Sequence, residues 1–335
     1  MTQLDLSTFQ TLAAEANRAP SVHNTQPARF AMDETGRLLV LADLSRHLAV
    51  GDPTGRDMGL SCGTALEGMV MALADRGLGA SVEDCWAQDL EVRAGYRLAA
   101  RLTLGGEAKA SDLSAYAEKR FTWRGAFCPT TAEIRMALDG WVAQQDDVIS
   151  ASGPEALSFV ATLNDETSLG IMRDCAFRDE LVSWMRLSLG HPNYATDGLN
   201  LEALHMGRLE GALAGKVLAS PLFDIADRLR LGKSLVSEAA KTLSATACLL
   251  FYRPFDESPV TTGRAFYRFW LGFSRLRLAG WPMASLADMP EAAEAMGQRF
   301  AVPSGHRLIN VLRVGPAPAG MAKYRLPAPE LVLMD

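Results

Sequence analysis

Ala19-Pro20-Ser21-Val22-His23-Asn24-Thr25-Gln26-Pro27 is the most informative run of this chain. Two prolines enclose mostly polar side chains, which makes the run a structured loop of restricted freedom. From Ser21 to Gln26 it offers hydroxyls, an imidazole and two amides. Such a cluster presents donors and acceptors together, as needed to read the edge of a planar heterocycle. It equally suits a capping loop whose polar groups satisfy their own backbone. These residues alone leave both readings open.

Before the loop, Phe9, Leu12, Ala13 and Ala16 recur at helical spacing and predict a helix over Thr8–Arg18, with Ser7 as N-cap. After it, Leu38–Leu41 and Leu98–Leu104 read as strands. Gly55–Gly77 between them reads as a helix burying Leu60, Ala65, Leu66, Met69, Val70 and Leu73. A short helix is expected over Asp112–Lys119 and a longer one over Thr130–Gln145, capped by Thr130 or Thr131. Asp165–Leu235 is mostly helical in pattern, broken at Gly190-His191-Pro192-Asn193. Thr246–Tyr252 is a buried strand, Gly263–Leu278 a long helix and His306–Val314 a strand. The proline-rich tail, Pro316–Leu333, reads as an extended arm.

An offset of 200 residues sets Gly63-x-Ala65-Leu66 on Gly263-x-Ala265-Phe266 and Leu78 on Leu278. Only three of twenty positions from Gly59 to Leu78 are identical, so two unrelated amphipathic helices explain the match as well as a repeat does. A real repeat would mean two copies of one α+β unit, packed as a dimer within one chain.

With 335 residues the chain suits two domains or one large fused one. At 48% hydrophobic and 21% charged residues it is globular, not disordered. Its net charge of −6 argues against general nucleic-acid binding, which needs a basic surface. Five scattered cysteines without a C-x-x-C pair, and five histidines without H-E-x-x-H, suggest neither a disulfide framework nor a metal site. MTQLDLSTFQ does not read as a signal peptide, and the longest strongly apolar run, Ala245–Tyr252, falls far short of a span. The expectation is a cytoplasmic chain with no membrane and no nucleic-acid partner.

Three motifs fail on context. Gly77-Leu78-Gly79-Ala80-Ser81-Val82 lacks the third glycine of a dinucleotide fingerprint and follows a helix. Gly211–Val217 is too short for a P-loop. Gly59-Leu60-Ser61-Cys62-Gly63 has the G-x-S-x-G pattern, but falls within a helix and not on the turn after a strand. Two basic clusters remain. Arg120 and Arg124 are four apart, so on a helix they would share a face and could clamp one anion, or simply face solvent. Lys323-Tyr324-Arg325 puts two cations on one side of an extended segment, or forms an ordinary basic tail.

Taken together these segments resemble the nitroreductase superfamily, whose A-P-S-x-x-N-x-Q-P-W loop is close to residues 19–27. Asp52–Asp57, Ser61–Leu66, Arg120-Phe121-Thr122-Trp123-Arg124, Asp197-Gly198-Leu199 and Leu312–Gly315 are similar, in order, to its tandem Acg-like branch. The resemblance implies an α+β fold of two fused nitroreductase-like halves, residues 1–111 and 112–335, forming an intramolecular pseudo-dimer. It implies one FMN per chain, with NAD(P)H as reductant and a small-molecule electron acceptor. Carried over by position, Arg120, Thr122, Arg124, Lys323 and Arg325 face the phosphate and ribityl chain. Ser21, His23, Asn24 and Gln26 lie along the ribityl chain and ring, and Pro282, Met283, Ala284 and Ser285 fall near the flavin N5 edge.

Two departures matter: Ala28 stands where the loop has tryptophan, and Phe121 replaces the second arginine of R-R-T. An insertion over residues 188–235 corresponds to a lid in that branch. The expected activity is hydride transfer through FMN, with no protein acid or base required and no catalytic residue named. The rival readings are an FMN store shut by its lid and a flavin-free descendant. The assembly is expected to be a monomeric pseudo-dimer or a homodimer.

Overall fold

The computed structural model describes residues 4–218, 221–318 and 320–334. It is a mixed α+β structure built on two antiparallel sheets. The first contains β1 (Ala28–Met32), β2 (Leu38–Asp43), β3 (Leu78–Asp84), β4 (Glu91–Arg93) and β5 (Tyr96–Glu107). Its strand order is β1-β2-β5-β3, with β4 also on β5. The second contains β6 (Val148–Ala151), β9 (Ala247–Pro254), β10 (Ala279–Pro282) and β11 (His306–Gly315), in the order β6-β9-β11-β10. A two-stranded parallel ribbon joins β7 (Met185–Arg186) to β8 (Leu199–Asn200).

The two orders are the same path. In each, two strands precede a central helix, and the next strand takes the edge before the last returns between them. What differs is the connection between the first two strands. In the first sheet it is the tight turn of residues 33–37; in the second it is residues 152–246. Residues 188–235, read from sequence as an insertion, lie within this connection.

The central helices, Arg56–Ala74 and Pro259–Ser274, pack directly on each other. A Cβ on Gly63 would lie 2.1 Å from the Val260 carbonyl oxygen, and one on Gly263 would lie 2.1 Å from that of Leu60. The contact is reciprocal, residue 60 standing to 263 as 260 stands to 63. Side chains at the crossing would force the helices apart. The 200-residue offset thus coincides with one reciprocal helix crossing.

Burial follows from the strand period. On β9, Cys248 and Leu250 pack with Leu157 and Val160, while Ala247, Leu249 and Phe251 pack with Phe266 and Phe269. Both faces are covered, so the strand reads as a continuous apolar run. The chain's end crosses back to the first sheet. Leu326, Leu331 and Val332 join the core of Phe30, Leu66 and Met69, and Val332 bridges Phe30 in parallel.

Several local expectations change. The first helix is Leu6–Ala16, capped by Asp5, whose carboxylate accepts from Thr8 N at 2.8 Å; an ionised acceptor displaces the Ser7 cap. The helix expected over residues 112–119 is one turn, Ser114–Tyr116, with Leu113, Tyr116 and Ala117 packed against Ala19, Met71, Tyr267 and Leu271. The C-terminal arm is not extended throughout but closes with the short helix Ala328–Leu331. The G-x-S-x-G run lies inside Arg56–Ala74, which leaves its serine without the exposure a nucleophile needs. No described helix is long and apolar enough to cross a membrane.

Candidate functional site

The 19–27 loop is strained. His23, Asn24 and Gln26 have φ of 47°, 57° and 50°, left-handed values that cost non-glycine residues on the order of 1 kcal/mol or more each. The loop is therefore held from outside. Gln26 N donates to Ser21 Oγ at 2.9 Å, Val22 N donates to Ser61 Oγ at 3.3 Å, and Thr64 Oγ1 donates to the Pro20 carbonyl at 2.7 Å. Gln26 is buried, its Oε1 accepting from Asn17 Nδ2 and Leu326 N, both at 2.8 Å. Asn24 accepts from Arg325 Nη1 at 3.0 Å and donates to the Tyr324 carbonyl at 3.2 Å. Residues some 300 positions apart are thus locked together.

Behind the loop lies a concentration of positive charge. Arg120 and Arg325 both donate to the Arg18 carbonyl, at 3.1 and 3.3 Å. Arg325 also reaches the Asn17 carbonyl at 2.7 Å, and Lys323 donates to the carbonyls of Ala117 and Glu118. Arg120 is buried, its guanidinium 4.8 Å from the Trp270 ring centre. Two polar atoms there, Arg120 Nε and Tyr267 Oη, make no well-aligned hydrogen bond among the described residues, the Arg120 guanidinium and the Tyr267 hydroxyl having each other as polar neighbours. Burial, followed by Arg120, Arg325 and Arg18, pushes Lys323 down to about 8. Burial and then Arg120 lower Arg325, and burial lowers Arg120. The carboxylate facing this group is Glu118, which pairs with Arg18 at 2.8 Å on the exposed side. Charges so placed are short of an anion.

Arg124 goes elsewhere. The 120–124 segment is not helical: Thr122 bridges Gly280 in parallel and Trp123 N donates to the Gly280 carbonyl at 3.0 Å. The edge of β10 claims the backbone, so the two arginines do not clamp one group as a shared helical face would. Arg124 instead donates to the Ala203 carbonyl at 2.6 Å and lies near Arg313, whose guanidinium sits 4.0 Å from the Trp281 ring centre. Burial, then Arg313, brings Arg124 down to about 10. Burial, then Arg124, brings His23 down to about 4, which links the loop to this second arginine. Met283 is buried with Trp123 in the core of the second sheet, and Ala284 and Ser285 lead into the short helix Ser285–Asp288. Among the described residues, no hydrogen bond joins these three to the loop or to the cations.

The insertion covers the loop. Gln26 Nε2 donates to the Thr196 carbonyl at 2.8 Å, and Asn24 and Gly198 exchange bonds at 3.3 Å. Asp197 lies between Arg186 at 2.9 Å and Arg46 at 3.1 Å, and the His205 ring is 4.6 Å from that of Trp123. A cavity of about 690 Å³ lies apart from this place, between helices Ala132–Val142 and Pro259–Ser274. Sequence reasoning missed Arg18 and Tyr267. Arg18 adjoins the quoted loop and could have been counted with it; Tyr267 sits in an aromatic run, Phe266 to Trp270, that reads only as core.

No family model matches the chain. Two Mycobacterium tuberculosis proteins, from strains CDC 1551 / Oshkosh and H37Rv, each named "Putative NAD(P)H nitroreductase", are 44% identical over 78 residues. That stretch is 23% of this chain and 22% of theirs, so the match spans under a quarter of their length. Among solved structures, a nitroreductase-like family protein from Bacillus cereus is 13% identical with a TM-score of 0.34, covering 68% of this chain and 98% of its own. A nitroreductase with bound FMN from Bacteroides fragilis is 12% identical at 0.34, covering 68% and 100%.

Proposed function

We propose that the chain is a nitroreductase-like flavoprotein of the tandem Acg-like type: two fused halves, residues 1–111 and 112–335, that build one FMN site and use NAD(P)H as reductant and a small molecule as electron acceptor. The observation that carries this is convergence. Residues 18–26, Arg120 and Lys323–Arg325 are far apart in sequence and meet around buried, anion-poor charge. The 44% identity to proteins named as nitroreductases and the duplicated sheet path around Gly63 and Gly263 support the same reading.

The residues present fit FMN. Arg120, Lys323 and Arg325, with Arg18, would take the phosphate, and Tyr267 Oη beside Arg120 would add a donor there. Ser21, His23, Asn24 and Gln26 would line the ribityl chain and ring, with Thr122 and Arg124 beside them and Met283, Ala284 and Ser285 at the N5 edge. FMN when bound supplies hydride acceptance and donation. The chain's own contribution is position, charge neutralisation and access. His23, neutral at pH 7, offers one ring donor and one acceptor without adding charge. The insertion's carbonyls at Thr196, Gly198 and Ala203 accept from Gln26, Asn24 and Arg124, so access depends on releasing those bonds.

That cover favours the second reading, an FMN store with little reductase activity. The visible spectrum decides: a yellow protein bleached by NADH or NADPH is the enzyme, and a yellow protein that resists both is the store. Failure of the apo-protein to take up FMN would sink both.

A further inference from the structure

We propose that residues 208–218 and 221–236 form a peripheral docking surface for an anionic lipid bilayer. Three consecutive helices, Arg208–Leu218, Leu222–Arg228 and Gly232–Val236, pack in sequence, each on the next. Each turns one residue inward: Gly211 against Leu201, Phe223 beneath the Arg178 guanidinium, and Gly232 against Asp227. Their large aliphatic side chains point the other way. Leu209 and Leu213 are each two positions from Gly211, about 200° round the helix and so on its far side. Leu209 is 75% exposed and Leu229 67%, with Leu213, Leu222 and Ile225 close to half exposed. An isolated surface leucine is ordinary, but this density along one segment is what interaction surfaces show.

Charge selects the occupant. Arg208, Lys216, Arg228, Arg230 and Lys233 interleave with these aliphatics, and no ion pair to any of them is found among the described residues. Of the acids in these helices, Asp224 pairs with Arg178 and Asp227 with Arg173, both at 2.8 Å, and the exposed Glu210 accepts from Gly207 N at 3.3 Å, so the five cations outnumber the one outward carboxylate. Leucines with free cations around them match a surface that is apolar below and negative at its rim. A second copy docking by this same face would set cations against cations. The chain-wide charge of −6 conceals the patch, and at physiological salt other charges beyond roughly 8 Å are screened. The sequence expectation of no membrane partner rested on the lack of an apolar run long enough to span a bilayer, which does not bear on peripheral docking.

The test is flotation of the full chain with phosphatidylcholine vesicles, with and without phosphatidylglycerol. Binding is expected only with the anionic lipid, weakening as salt rises to about 0.5 M. Lys216→Gln with Arg228→Gln should lower partitioning about 25-fold, roughly fivefold per cation. Leu213→Gln with Leu229→Gln should lower it tenfold or more, about tenfold per buried leucine at most. All four positions are exposed, and an unchanged melting curve for each variant would show that folding is intact. No binding to anionic vesicles, equal binding to both kinds, or variants that bind like the parent would each overturn the proposal. So would a concentration-dependent dimer that Leu213→Gln with Leu229→Gln abolishes, which would assign the face to a second copy.

Discussion

Replacing Arg120 with methionine should separate ligand recognition from stability, because the two effects have opposite signs. Arg120 is buried and donates to the Arg18 carbonyl at 3.1 Å, with the Tyr267 hydroxyl as its other polar neighbour. Burial lowers its pKa, and no carboxylate within the described ion pairs compensates it. A methionine of comparable length keeps the packing against Trp270 while removing an uncompensated charge, a change that is often neutral or stabilising. The melting temperature of the apo-protein should therefore hold or rise. FMN affinity should fall, since a charge-assisted bond to phosphate contributes about 1.5–3 kcal/mol, or roughly ten- to a hundredfold in Kd. Riboflavin, which has no phosphate, should bind parent and variant alike. The assay is flavin fluorescence quenching with both ligands beside a thermal melt. Equal loss of FMN and riboflavin, or a clear drop in melting temperature with FMN affinity intact, would refute the assignment of this group to phosphate.

Lys323, at about 8 in the folded chain against an ordinary 10.5, binds fewer protons than the unfolded chain between those values, so apo stability should rise with pH across that window. Phosphate must restore the proton, so FMN binding near pH 8.5 should take up protons, seen by calorimetry in buffers of different ionisation enthalpy; riboflavin should not. Asp52, raised to about 6 by burial and then Asp57, carries charge above that pH at a cost, so Asp52→Asn should stabilise the protein by on the order of 1 kcal/mol at pH 7.5 and not at pH 5 in urea titrations. Gly63→Ala and Gly263→Ala should each destabilise by about 3 kcal/mol or more, since either Cβ meets a carbonyl oxygen at 2.1 Å, and the double variant should cost less than the sum because one crossing is opened twice. Titration should find one FMN per chain; two equivalent sites would count against the fused-half assignment.

Local chemistry was legible where it acts over a few residues. Two prolines and a run of amides and hydroxyls define residues 19–27 as a polar loop in any fold, and the left-handed backbone of His23, Asn24 and Gln26 only tightens that reading. Helical spacing located both central helices to within a few residues, because their buried faces recur at a fixed period. The crossing left only a weak trace: two backbones in contact admit no Cβ on either side, so a glycine stands at both 63 and 263, yet three identities in twenty did not tell a repeat from two unrelated helices. Tertiary structure decided the rest, because it depends on which segments meet. Arg120 and Arg124 read as one helical face until the edge of β10 took the backbone of Thr122 and sent them to different partners. Arg18, Tyr267, Lys323 and Arg325 mean little apart, since a cation's role is set by the charges and carbonyls around it, and those come from positions hundreds of residues away. The insertion's leucines likewise count toward a core in any composition, and only the folded chain turns them outward.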